Sequence, residues 1–323
     1  MGYRPAALVG PTTLKIAFVF PGQGSQAVGM LDSFADNAAV QSVLSRGSSA
    51  LGQDMCELIT KGPIEQLNLT VNTQPALLTA GYAIYAAWLA AGGTAPSVVA
   101  GHSLGEYTAL VASGVLKLEE AMRLVRFRAQ VMQQAVPVGA GSMAAILGLS
   151  DGLVAQACTE AAQGEVVEAV NFNAPAQVVI AGHSAAVERA CGIAKRLGAK
   201  RALMLAVSAP FHSSLLQPAS DQLRSHLAQT ALHPPQIDLI NNVDVAVESD
   251  PAKIADALAR QAARPVRWAE TIRKMHDLGV THVIECGPGR VLSGITKRVV
   301  PSLESLVIND AATLQSTLEI LAT

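Results

Sequence analysis

The stretch Ser97-Val98-Val99-Ala100-Gly101-His102-Ser103-Leu104-Gly105-Glu106 decides the fold. A short apolar strand runs directly into Gly-X-Ser-X-Gly, and a helix-compatible stretch, Tyr107 to Ala112, follows. That order is the context of a nucleophile elbow, a sharp strand-to-helix turn that holds a serine out at the end of a strand. Gly101 and Gly105 leave room for the turn, because side chains there would meet the neighbouring strand and helix. Ser103 is the expected nucleophile, and the N–H of Leu104, at the helix start, is placed to face an oxyanion. The bland alternative is an inert serine in a glycine-rich turn.

Working outward, the chain of 323 residues is half hydrophobic and 15% charged, which suffices for a large core. Its Ala, Val and Leu content suits helices packed on a parallel sheet. A net charge of −2 gives no bulk basicity for nucleic acid. The histidines lack metal-ligand spacing and no CxxC occurs, so no metal is expected. Cys56, Cys158, Cys191 and Cys286 lie far apart and read as small packed residues in a reducing compartment. The apolar run Pro75 to Ala91 is short for a membrane span and ends at Gly92-Gly93, so it reads as a buried helix. No secretory signal is visible, and residues 1–14 read as a loosely ordered leader.

Leu14 to Phe20 reads as a buried strand followed by the polar loop Pro21-Gly22-Gln23-Gly24-Ser25-Gln26. Helical patterns continue to Ala91, with breaks expected near Gly47, Gly52 and Gly62-Pro63, and a helix is expected over Leu118 to Val136. From Ser142 the pattern changes: strand Met143–Leu149, helix Asp151–Gln163, strands Val166–Asn171 and Gln177–Ala181, helix Ser184–Leu197, strand Arg201–Val207. This β-α-β-β-α-β order is ferredoxin-like. Helices Gln217–Thr230, Ile254–Ala262 and Trp268–Leu278 and strands Ile237–Asn241 and His282–Glu285 complete the reading. The expected architecture is α/β. A hydrolase-like parallel-sheet domain (15–140 and 208–310) carries an inserted ferredoxin-like domain (141–207).

A serine needs a base. His212, in the polar turn Ala209-Pro210-Phe211-His212-Ser213-Ser214 after the last strand of the insert, is the candidate. The side chain of His102, adjacent to Ser103, is expected to point away from the attack face. No acid stands out as a third triad member, so a Ser–His pair oriented by a backbone carbonyl is as plausible as a full triad. On a helical wheel, Arg128 falls in the middle of the apolar stripe formed by Ala121, Val125, Met132 and Ala135. A buried arginine stays charged and calls for an anionic partner: an internal carboxylate or a substrate carboxylate. Gln23 could face the top of the sheet beside Ser103, and its loop lacks the Lys-Ser/Thr ending of a phosphate-binding loop. Asn173 sits in a hairpin, where asparagine is commonly conformational.

Phe18-Val19-Phe20-Pro21-Gly22-Gln23-Gly24-Ser25-Gln26, Gly101-His102-Ser103-Leu104-Gly105-Glu106, the Arg128 helix, Asn171-Phe172-Asn173, Ala209-Pro210-Phe211-His212-Ser213 and Glu285-Cys286-Gly287-Pro288-Gly289 together resemble the malonyl-CoA:acyl-carrier-protein transacylases, in order, from about Lys15 to about Val300. The resemblance implies Ser103 as nucleophile, His212 as base and Arg128 as clamp on the malonyl carboxylate. Gln23 and the Leu104 N–H would form the oxyanion hole. His102 and Asn173 would line the substrate site, and Gln261 would orient His212 through its main-chain carbonyl. Phe211 before His212 is similar to the malonyl-selective branch.

The expected activity is ping-pong malonyl transfer from malonyl-CoA to acyl carrier protein by a cytoplasmic, monomeric enzyme. No cofactor, nucleic acid or membrane is expected to take part. Lys195, Arg196, Lys200, Arg201, Arg264 and Arg267 are candidate docking cations for an acidic carrier. The rival readings are a serine esterase or thioesterase, and a docking module without turnover. The pathway (fatty acid, polyketide or malonate catabolism) stays open.

Overall fold

The computed structural model describes residues 14–322. Most of the leader read over residues 1–14 therefore lies outside the described residues. The described residues form nine strands: β1 (Ile16–Phe20), β2 (Val98–Gly101), β3 (Gly141–Leu147), β4 (Val167–Ala174), β5 (Gln177–His183), β6 (Arg201–Met204), β7 (Asp238–Ile240), β8 (His282–Cys286) and β9 (Glu304–Ile308). Five of them make a parallel sheet in the order β7-β2-β1-β8-β9, and four make a separate sheet in the order β4-β5-β3-β6.

The strands of the parallel sheet are short and apolar because both faces are covered. Phe18, Phe20, Val99 and Ile284 face a core shared with the helix Thr70–Ala90. Ala17, Val19, Ala100 and Val283 face Trp268, Ile272 and Met275. β1 and β2 pair with Phe20 opposite Gly101, so the loop carrying Gln23 and the turn carrying Ser103 leave the same edge of the sheet. Ligands of open α/β sheets gather at this carboxyl edge.

The small sheet is antiparallel in its β3–β5, β3–β6 and β4–β5 pairings. Its helices Asp151–Ala162 and Ser184–Arg196 bury Val154, Val187 and Ile193 against Ile146, Val178 and Ile180 in a core of their own. This is the ferredoxin-like pattern. Phe172 N–H donates to Val266 O (3.0 Å) and Val266 N–H to Val170 O (2.8 Å), which ties β4 to the large part of the chain beside the cleft.

Four expectations need correcting. The helix Ala38–Leu51 runs through Gly47, where a break was expected. A Cβ there would come within 3.2 Å of Thr79 Oγ1, so the glycine serves close helix packing instead of a stop. The helix expected from Pro75 starts at Thr70, and the extra turn carries Gln74, which the site uses. Asn173 lies inside β4 instead of in the hairpin turn. Finally, no helix or strand was expected after the Gly287-Pro288-Gly289 turn, where the structure has the helix Val291–Val299, β9 and the helix Ala311–Leu321, the last capped by a reciprocal Asp310–Thr313 box.

Candidate active site

The elbow forms because its two glycines permit close approach. A Cβ on Gly101 would lie 1.8 Å from the Gly105 carbonyl carbon, and one on Gly105 would lie 2.0 Å from Phe20 O. Ser103 takes φ +53°, a left-handed conformation that costs a non-glycine residue free energy. Asn242 holds it there. Its Oδ1 accepts from Ser103 N–H (2.8 Å), while its Nδ2 donates to Gly101 O (2.7 Å).

Ser103 Oγ lies 2.7 Å from His212 Nε2, and His212 Nδ1 lies 2.8 Å from Gln261 O. A carbonyl only accepts, so Nδ1 carries the proton and Nε2 presents its lone pair to the hydroxyl. Burial, followed by the charge of Arg128, lowers the His212 pKa to about 3. The sign matters: a base acts in its neutral form, and the depression extends that form downward in pH. We expect an NMR titration to find the His212 ring neutral, protonated on Nδ1, from pH 8 to pH 5. In Arg128→Ala the midpoint should rise toward the ordinary imidazole range. A wild-type midpoint at the ordinary value would contradict the burial described.

Arg128 is 1% exposed. Its Nη1 donates to Gln74 Oε1 (2.7 Å), and its Nη2 donates to Gln261 Oε1 (2.9 Å) and to Ser103 Oγ (3.2 Å). Its Cζ stands 5.2 Å from the Tyr107 ring centroid. Of the two partners open to it, the internal carboxylate is not the one it touches: among the described residues no ion pair includes Arg128. Its Nε has no acceptor there either. Burial lowers its pKa, opposed by Tyr107 and Glu106, and a guanidinium remains a cation.

Gln23, His102, Ser103, Arg128, Phe211 and His212 all line one cleft of about 710 Å³. Gln23 is exposed at its mouth, and its Oε1 accepts from Thr70 Oγ1 (3.1 Å). His102 lines the cleft wall, where its Nε2 meets Asn173 Oδ1 (2.8 Å) and its ring packs 5.4 Å from that of Trp268. Contrary to the expectation from the turn alone, it therefore borders the attack site without touching Ser103 Oγ. Leu104 is buried at the start of the helix Gly105–Ala112, with its N–H in the first turn beside Ser103.

Three residues of the constellation were missed in the sequence: Gln74, Asn242 and Glu106. Glu106 is 1% exposed, and its Oε2 accepts from Gln261 Nε2 (2.8 Å) and Asn242 N–H (3.0 Å). Burial pushes its carboxyl up to about 7 against those bonds. The available signal was an acid placed directly after Gly-X-Ser-X-Gly on an otherwise apolar helix. Among the described residues no group of three or more His, Cys, Asp or Glu could hold a metal, and no helix is long and apolar enough to cross a membrane. The four cysteines are free.

A parallel α/β sheet with a serine–imidazole pair at its carboxyl edge defines the class, one of acyl-handling α/β enzymes. A family model described as an acyl transferase domain matches residues 17–316. The malonyl CoA-acyl carrier protein transacylase of Escherichia coli K12 is 51% identical over 307 residues, covering 95% of this chain and 99% of that protein. The solved acyl-carrier-protein S-malonyltransferase of Burkholderia pseudomallei is 62% identical with a TM-score of 0.93, covering 95% and 100%. A solved complex of a type II PKS acyl-carrier protein with its malonyl-transacylase matches at 49% identity and TM-score 0.93, covering 95% and 99%. The chain belongs to the acyl transferase domain family, among the malonyl CoA-acyl carrier protein transacylases.

Proposed function

We propose that this protein moves a malonyl group from malonyl-CoA to the pantetheine thiol of an acyl carrier protein, through a malonyl ester on Ser103. The observation that carries this reading is Arg128: a buried guanidinium, 3.2 Å from the hydroxyl of Ser103, that has no ion-pair partner among the described residues. Burying an unpaired charge costs several kcal/mol. A malonyl carboxylate offsets that cost by forming the missing ion pair, and an acyl chain without an acid does not.

His212 Nε2 takes the proton of Ser103 Oγ as the oxygen attacks the thioester carbonyl. The Leu104 N–H and Gln23 face the developing oxyanion, and a donor of this kind is worth about 3 kcal/mol in the transition state. The C–S bond breaks, CoA leaves as its thiol with the proton from His212, and malonyl-Ser103 remains. The carrier thiol then gives its proton to His212 and attacks the ester, and Ser103 Oγ leaves with the proton returned. Phe211 (7% exposed) walls the cleft beside His212 and limits the acyl group's width. The carrier is read as docking on exposed Lys200 and Arg201, next to the exposed Leu203 and Met204. Arg267 is a weaker candidate, since Glu270 already engages it. The reading places the protein in the malonyl supply of fatty acid biosynthesis.

The test is intact-protein mass spectrometry after mixing with malonyl-CoA. One malonyl adduct is expected, mapped to the peptide bearing Ser103, stable in buffer and discharged by holo acyl carrier protein. Rapid discharge by water would make the protein a thioesterase. No adduct would leave a docking role.

A further inference from the structure

Glu106 does not line the cleft, yet two groups that hold the site meet at its carboxylate. Gln261 gives one Nε2 hydrogen to Glu106 Oε2 (2.8 Å) and the other to Ser103 O (3.0 Å). Its Oε1 is thereby turned to Arg128 Nη2 (2.9 Å), and its main-chain carbonyl receives His212 Nδ1 (2.8 Å). The same Oε2 accepts from the N–H of Asn242, whose side chain clamps the Ser103 and Gly101 backbone.

The side-chain amide of Gln261 thus stands between the accepting Oε2 of Glu106 and a donor-only guanidinium. An accepting oxygen at one end and a donating guanidinium at the other fix which way the amide faces. In the shortest connection described between them, the cation and the acid are joined by this amide instead of by direct contact. A direct Glu106–Arg128 pair would occupy the guanidinium and close it to a substrate acid. Relayed through the amide, the Glu106 oxygen fixes where Arg128 points while leaving its Nε without an acceptor among the described residues. The acid sits directly after the elbow glycine, on the rigid first turn of the helix Gly105–Ala112.

We propose that Glu106 is a positioning residue that sets the preference for acid-tailed acyl groups by orienting the Gln261 side chain, and through it Arg128. The inference rests on the malonyl reading above and deepens it. The test compares kcat/KM for malonyl-CoA and acetyl-CoA in Glu106→Ala, Glu106→Gln and Gln261→Leu. Glu106→Ala removes the acceptor, and the malonyl-to-acetyl ratio should fall about tenfold or more, the effect of leaving a buried amide donor unpaired and free to turn. Glu106→Gln keeps a carbonyl oxygen for the same two donors and should restore the ratio to within about threefold of wild type. Gln261→Leu cuts the link at its other end while keeping the main-chain carbonyl for His212, and should lower the ratio as Glu106→Ala does.

An unchanged ratio in folded Glu106→Ala overturns the proposal. So does a Glu106→Gln ratio as low as that of Glu106→Ala, which would assign the effect to charge instead of orientation. If Glu106→Ala fails to fold, an unchanged ratio in Gln261→Leu overturns it equally. A loss of rate common to both substrates reports only the elbow and does not enter the ratio. A wild-type protein without malonyl preference would count against the function reading, which separates the two.

Discussion

Ser103→Ala and His212→Ala are each expected to lower malonyl transfer on the order of 10⁴-fold, and the double variant is expected to be no slower than either alone. The 2.7 Å contact between Oγ and Nε2 makes the two groups one device. A hydroxyl at its free pKa is a weak nucleophile, so the imidazole has value only when there is an oxygen to deprotonate. Once either is gone, the second substitution removes nothing that still functions. Residual transfer should come from the oxyanion donors and from substrate positioning, which neither substitution touches. The measurement is single-turnover transfer to holo carrier, with thermal melting as the check on folding. Independent penalties, multiplying in the double variant, would mean that His212 acts on something other than Ser103. Ser103→Ala should also lose the malonyl adduct altogether, whereas His212→Ala should form it slowly.

Local features of the sequence were enough to find the elbow, because strand, turn and helix are contiguous and both glycines are required by the backbone itself. Arg128 was legible for a similar reason: a helical wheel places a cation among Ala121, Val125 and Met132 whatever the rest of the fold does. The tie from His212 to Gln261 O came only from resemblance, since any main-chain carbonyl can accept a hydrogen bond and residue type says nothing about which one does. The partners of Glu106, Asn242 and Gln74 were invisible for a physical reason, although Glu106 itself left a signal as an acid on an otherwise apolar helix. Glu106 meets Gln261 across 155 positions, Asn242 meets Ser103 across 139, and Gln74 meets Arg128 across 54. Each is an ordinary polar residue until folding brings its partner. Pro75 hid the first turn of its helix, because proline is enriched at the first helical position and here is the sixth residue. The small sheet was easier to read, since its strands and helices alternate cleanly and close over a core of their own.

Arg128→Ala should lower kcat/KM for malonyl-CoA by about 30- to 5,000-fold, the range set by losing one partner of a buried charge pair. Acetyl-CoA should lose far less, so that the preference collapses. The argument runs through burial. At 1% exposure the guanidinium gains little from water, and Gln74 and Gln261 offer it dipoles instead of charge. A substrate carboxylate is therefore the first full anion it meets, at a site where Coulomb interactions are poorly screened. Some loss is common to both substrates, because the Nη2–Ser103 Oγ contact disappears and the cation no longer holds the His212 pKa down. The ratio of the two rate constants removes that common part. Arg128→Lys should fall between the two, since an ammonium restores the charge without the planar fork that bonds a carboxylate through both oxygens. Equal losses for malonyl and acetyl in Arg128→Ala would reduce Arg128 to a prop for Ser103, and the choice of an acid-tailed substrate would then have to be sought elsewhere in the cleft.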